Sequence, residues 1–202
     1  MKLTEAHEPW AIWGPPGNPT SNQRLLMGWK TLIPNPTGNT LLCCGLNPST
    51  AWASNGVGEL DPTLTRLHGF AVRWGLARVV MMNLYPHRST NPKEMWPELV
   101  KWSASSYYTA LGNLYDEVAF TDGVILAGWG NTKPPAWSPS PYPMWTRDLH
   151  TWHVKVMLRG MAGFAPDRKG QVMCLGTTKD GHPRHPLYVK GDTEPVPFVW
   201  ER

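Results

Sequence analysis

The chain has 202 residues, 41% of them hydrophobic and 17% charged. That is enough for one domain with a buried core, and too apolar for a disordered chain. A net charge of +4 and a pI near 9.0 permit a nucleic-acid partner without demanding one.

No apolar run approaches the ~20 residues of a membrane helix. The stretch "MKLTEAHEPW" lacks the apolar core of a signal peptide. A cytoplasmic monomer with no membrane partner is expected. Cys43, Cys44 and Cys174 lie inside apolar runs, which suits a core role in a reducing compartment. Without a CxxC pair a cysteine zinc site is not expected, and neither a metal nor a cofactor is called for. The sequence has no G-x-S-x-G elbow and no G-x-x-x-x-G-K-[ST] phosphate loop.

Residues 1–22, rich in Pro, Gly and Trp, read as an irregular arm, and 23–202 as a single domain. Four apolar runs follow: "TLLCCGL" (40–46), "RVVMMNLY" (78–85), "GVILAGWG" (123–130) and "QVMCLGTT" (171–178). Each is continuous rather than alternating, the habit of parallel strands buried on both faces. Helical patterns lie between them. "DPTLTRLHGFAVRWG" (61–75) opens with Asp61 as N-cap and Pro62 at the first helical position. Residues 97–118 and 144–163 carry helical spacing, the latter ending at Gly160 or Gly163. The alternation predicts a three-layer α/β/α fold around a central four-stranded parallel sheet. In such sheets ligands bind beyond the carboxyl ends of the strands. The Pro-rich stretch 131–143 is expected to be a binding loop on that rim.

The strand ends carry the chemistry. Asn47-Pro48-Ser49 follows the first run; Asn83 ends the second, ahead of Tyr85, His87 and Arg88. Trp129 and Asn131 end the third, and Lys179, His182, Arg184, His185 and Tyr188 follow the fourth. No acidic pair reaches this rim except through Glu59 and Asp61, which is poor for a hard metal. Amides, histidines and cations suit a planar polar ligand and developing negative charge.

These motifs resemble those of the uracil-DNA glycosylase superfamily. "GLNPS" is similar to its "GINPG" and "GMNPG" first motifs, "GHPRHPLY" offers two candidates for its later H-P-x motif, and "ILAGWG" resembles its W-G segment. The ordered set "LNPSTA", "DPT", "NL", "WG" and "HPLY" also resembles an uncharacterised bacterial and phage family over residues 24 to 190. The resemblance implies a DNA glycosylase, which must flip a base from the stack to reach its N-glycosidic bond. It implies that Asn47 positions the attacking water and that Asp61 supplies negative charge or basicity. It implies that Asn83 reads the base edge and that His185, or else His182, donates to the leaving base. Trp52 or Trp129 would stack on the base. Lys179, Arg184, Arg88 and Tyr188 would contact DNA. Uracil-strict members place a Tyr where Ser49 stands, so Ser49 implies room for a C5 substituent. The expected substrate is a hydroxymethylated or glucosylated cytosine of phage DNA, excised in defence to leave an abasic site. Two other functions fit the same residues: a nucleoside or nucleotide hydrolase or transferase, and a non-catalytic module that senses modified bases.

Overall fold

A computed structural model describes residues 1–14, 22–49, 59–91, 94–96, 123–131, 151, 153–159 and 172–200. Its centre is a mixed sheet of seven strands: β1 (Trp10–Gly14), β2 (Gln23–Lys30), β3 (Gly38–Gly45), β4 (Leu76–Asn83), β5 (Val124–Ala127), β6 (Met173–Cys174) and β7 (Val196–Pro197). They lie in the order β1-β2-β4-β3-β5-β6-β7. The four apolar runs are β3 to β6, and each neighbouring pair among them is parallel. The expected four-stranded parallel sheet is therefore only the middle of a larger one. β1 and β2 add antiparallel strands beside β4, and β7 adds one beside β6.

Both faces of the middle strands are buried, and alternate residues feed two cores. Leu42 and Cys44 of β3, with Val80 and Met82 of β4, point to one core. Met95, Val154 and Met157, from the helical residues 94–96 and 153–159, cover it. Leu41, Cys43, Val79 and Met81 point to the other, under Leu64, Leu67 and Phe70 of α1 (Pro62–Arg73). Full burial of each such side chain on α1 contributes about 1.5–3 kcal/mol, which explains why the runs are continuous.

α1 starts as its sequence dictates. Asp61 is the N-cap, its side chain accepting the Leu64 N–H, and Pro62 occupies the first turn. The N-terminal residues are less irregular than expected. Trp10–Gly14 pairs with β2 as an edge strand, with a register shift between Ile12 and Trp13. β2 is nearly all buried and reads "QRLLMGWK"; charges flank its short apolar stretch, and it is not among the four expected runs. The expected helix at 97–118, the loop beyond Asn131 and Trp52 lie outside the described residues. Among the described residues no helix is long and apolar enough to cross a membrane.

Candidate functional site

β3 leads to β4 on one side and, later in the chain, stands beside β5 on the other. The strand order thus reverses around β3, the place where open α/β sheets hold ligands. A cleft of about 840 Å³ lies there. Its walls come from the carboxyl ends of β3, β4 and β5 and from the segment after β6.

The two loops that leave β3 and β4 are laced together beyond the sheet. Leu84 N donates to Gly45 O at 2.9 Å, Tyr85 N to Leu46 O at 2.9 Å, and Ser89 N to Pro48 O at 3.0 Å. Asn47 completes the lacing. Its Nδ2 donates to Ser89 O at 2.8 Å, with longer contacts to His87 O at 3.4 Å and Pro48 O at 3.3 Å. All three partners are carbonyls, so the amide orientation is fixed: nitrogen to the loops, with Oδ1 left as an acceptor in a residue that lines the cleft.

Asp61 is held at both oxygens. Oδ1 accepts Leu64 N at 2.8 Å and Oδ2 accepts Ser49 Oγ at 2.7 Å. Cap and cleft wall are therefore the same carboxylate. Asn83 is buried beside Gly45, its register partner on β3. A Cβ on Gly45 would come within 2.8 Å of Asn83 Oδ1, so glycine is what lets that amide lie across the strand end.

His185 caps the 3-10 turn Pro186–Tyr188, its Nδ1 accepting Leu187 N at 3.3 Å. A ring nitrogen that accepts from a backbone N–H carries no proton, so the neutral ring bears its proton on Nε2. Burial pushes the His185 pKa down, with Asp61 pulling the other way. The cleft thus holds a neutral imidazole that can donate. Gly130, at φ +77, turns the chain after β5, and a Cβ there would come within 3.3 Å of His185 Cβ.

Among the expected site residues, Asn47, Ser49, Asp61, Asn83, Trp129, Arg184, His185 and Tyr188 all line this cleft. His182 does not: it is 4% exposed and packs edge-on against Trp200 at 5.3 Å. The tight hairpin bridging Thr177 to Pro183 separates the two histidines. Trp129 is also largely a core residue, edge-on to Phe198 at 5.6 Å and Trp200 at 6.2 Å. Arg88 lies 5.0 Å over the Trp13 ring and Lys179 is exposed, and neither lines the cleft. Tyr188 is 80% exposed at the rim, and Arg184 there donates Nε to Thr177 O at 3.1 Å.

Arg24 lines the cleft as well and escaped the sequence reading. It is 2% exposed, and its backbone N–H donates to Pro86 O at 2.9 Å. A single arginine heading an apolar strand reads as an ordinary strand end, so only burial gives it away. Among the described residues no group of three His, Cys, Asp or Glu side chains could hold a metal ion.

The fold and the cleft define an open-sheet α/β protein with a cleft at its topological switch point. The family model described as "Protein of unknown function (DUF1643)" matches residues 24–187, and the chain belongs to that family. No curated protein and no solved structure matches the chain.

Proposed function

We propose that the protein is a monofunctional DNA glycosylase with a uracil-DNA-glycosylase-like core, which excises a C5-substituted pyrimidine. The observation that carries this reading is the Asn47 amide. Loop carbonyls hold its nitrogen, which leaves an acceptor oxygen at the end of β3, in the same cleft as the His185 donor.

The chemistry follows from those two groups. The water oxygen, positioned by Asn47 Oδ1, forms the new bond to the sugar C1′. The N-glycosidic bond breaks and its electron pair leaves with the base. Neutral His185 donates from Nε2 to a base oxygen as negative charge grows there. The Asp61 carboxylate offsets positive charge on the sugar and takes the proton that water releases. Asn83 reads the polar edge of the base, and Ser49 leaves space at C5. Tyr188 and Arg184 on the rim suit a base-stacking and phosphate-binding role toward DNA. Action in the cytoplasm on hydroxymethylated or glucosylated phage cytosine would leave abasic sites that block replication.

The test is base release. The protein is incubated with plain, uracil-containing and C5-modified phage DNAs, and free bases are identified by mass spectrometry, with Asn47→Ala as control. Release of a modified base that the control loses supports the reading. No release from any DNA would falsify it and favour a hydrolase acting on free nucleosides or a module that only senses modified bases.

A further inference from the structure

The cleft holds one charged side chain to which base excision gives no task. Arg24 is 2% exposed in the cleft wall, opposite Trp13 of β1. Its Nε and Nη1 atoms are buried and meet no acceptor among the described residues. Asp61 acts on it only through its field, and the nearby charge of Arg88 opposes it. Burial pushes its pKa down to about 10, which still leaves a cation at neutral pH. Buried polar atoms in folded proteins are almost always satisfied, so two unsatisfied guanidinium nitrogens in a cleft wall call for an outside partner. A guanidinium has five N–H donors and no acceptor. The group that completes it must therefore present acceptor atoms, and oxygens suit a cation well.

We infer that Arg24 is a specificity residue: it donates hydrogen bonds to oxygens on the C5 substituent of the flipped pyrimidine, and selects a hydroxyl-bearing substituent over a methyl. The identity of the ligand rests on the glycosylase reading; the binding site itself does not. The cytosine exocyclic amine is a donor and cannot complete Arg24, and a methyl group offers nothing. A hydroxymethyl group, or a sugar attached to it, supplies the oxygens. Asn83 is assigned the pairing edge, so the base and its substituent are recognised by different side chains.

The experiment compares the full chain with Arg24→Met and Arg24→Lys. First, thermal unfolding is measured without ligand. Replacing an unpaired buried charge by an apolar side chain of similar length should leave Tm unchanged or raise it. A clear fall in Tm for Arg24→Met would mark Arg24 as structural and overturn the inference. Second, binding is measured to single-stranded oligonucleotides that carry one 5-hydroxymethylcytosine, one glucosylated 5-hydroxymethylcytosine or one 5-methylcytosine. The native chain should prefer the oxygen-bearing bases by about tenfold or more, the range of a charge-assisted hydrogen bond. Arg24→Met should lose that preference and Arg24→Lys should keep part of it. Equal affinity of the native chain for all three, or an unchanged preference in Arg24→Met, overturns the inference. Base release is followed in the same mixtures. Discrimination without release would sink the glycosylase reading and leave the Arg24 site standing, whereas release without Arg24-dependent discrimination would do the reverse.

Discussion

The side-chain nitrogen of Asn47 lies 2.8 Å from the backbone carbonyl of Ser89, so the turn after β3 is tied to the loop after β4 by the same amide that faces the cleft. The tie explains why an asparagine, a poor base, suits the position: its two halves do different jobs. The NH₂ half fixes the side chain to two loops, and the oxygen half is held ready to accept.

That division predicts an unusual mutant series. Asn47→Asp supplies a better base but turns an acceptor toward the carbonyls of Ser89 and His87. Asn47→Ala only removes the contacts. Asn47→Asp should therefore be no more active than Asn47→Ala, and less stable by about 1–3 kcal/mol through its unsatisfied and repelled oxygen. Urea unfolding and base-release rates check both statements. A highly active Asn47→Asp protein would show that basicity, not positioning, is what the site lacks.

Asp61 serves as helix cap and cleft carboxylate at once, and two substitutions separate the roles. Asn is as good an N-cap as Asp, so Asp61→Asn should stay within a few tenths of a kcal/mol of the native chain. Asp61→Ala should lose about 1 kcal/mol, the usual cost of a missing cap. Base release should fall strongly in both, because both remove the charge. An Asp61→Asn protein with native activity would reduce Asp61 to a cap.

Much of this was legible in the sequence because the signals are local. Continuous apolar runs mark strands buried on both faces, and Asp61-Pro62 marks a helix start whatever surrounds it. Asn47 and Asn83 stand out because each directly follows or ends such a run, and His185 because it carries an H-P signature in the segment after the last one. The remainder depends on distant partners. β2 holds only a short apolar stretch, broken by Gly28 and flanked by Arg24 and Lys30, and β1 becomes a strand only because β2 offers it an edge. His182 and His185 carry the same H-P signature. Only the hairpin between Thr177 and Pro183 turns one onto Trp200 and leaves the other in the cleft. Arg24 shows the same limit, since its significance is its burial.

Gly45 is expected to be sensitive for a geometric reason. A methyl group there would approach Asn83 Oδ1 to 2.8 Å and also collide with Met81. Met81 is flexible and can yield, but the Asn83 amide is confined at the end of a buried strand. Gly45→Ala should cost about 1–3 kcal/mol in stability by overpacking. Base release should fall by a larger factor than that loss explains, because Asn83 is displaced. Native release at a temperature well below the mutant Tm would separate Asn83 from base recognition.

The buried thiols yield a chemical prediction. Cys43 and Cys44 are fully buried, and burial pushes the Cys43 pKa up to about 12 and that of Cys44 up as well. Burial also raises Cys174, against a backbone hydrogen bond from Gly176 that lowers it. Thiolate is the reactive form, so all three should resist a thiol reagent in the folded protein at neutral pH. Labelling should follow the rate of unfolding as urea is added, and rapid labelling of one thiol in the native state would contradict the burial.

The histidines set how stability responds to acid. Burial holds the folded-state pKa values of His68, His153 and His185 below the ordinary 6.5. For His68 the charges of His7 and the N-terminus add to that effect, whereas for His153 the Leu84 carbonyl opposes it. As pH falls through 6.5 the unfolded chain takes up protons that the folded chain still refuses. The unfolded state then binds more protons, so stability must decrease as pH falls. Tm should be nearly level above pH 7 and decline from about pH 6.5 until the folded-state histidines themselves titrate. Protonation of His185 at Nδ1 would also break its bond from Leu187 N and release the ring from its fixed orientation. Base release should therefore survive acidification below the ordinary histidine range and fail only where His185 finally protonates. His185→Gln should reduce the slope of Tm against pH in that window. A Tm that is level from pH 7.5 to 5.5, or that rises on acidification, would show that these pKa values are not held down in the folded protein.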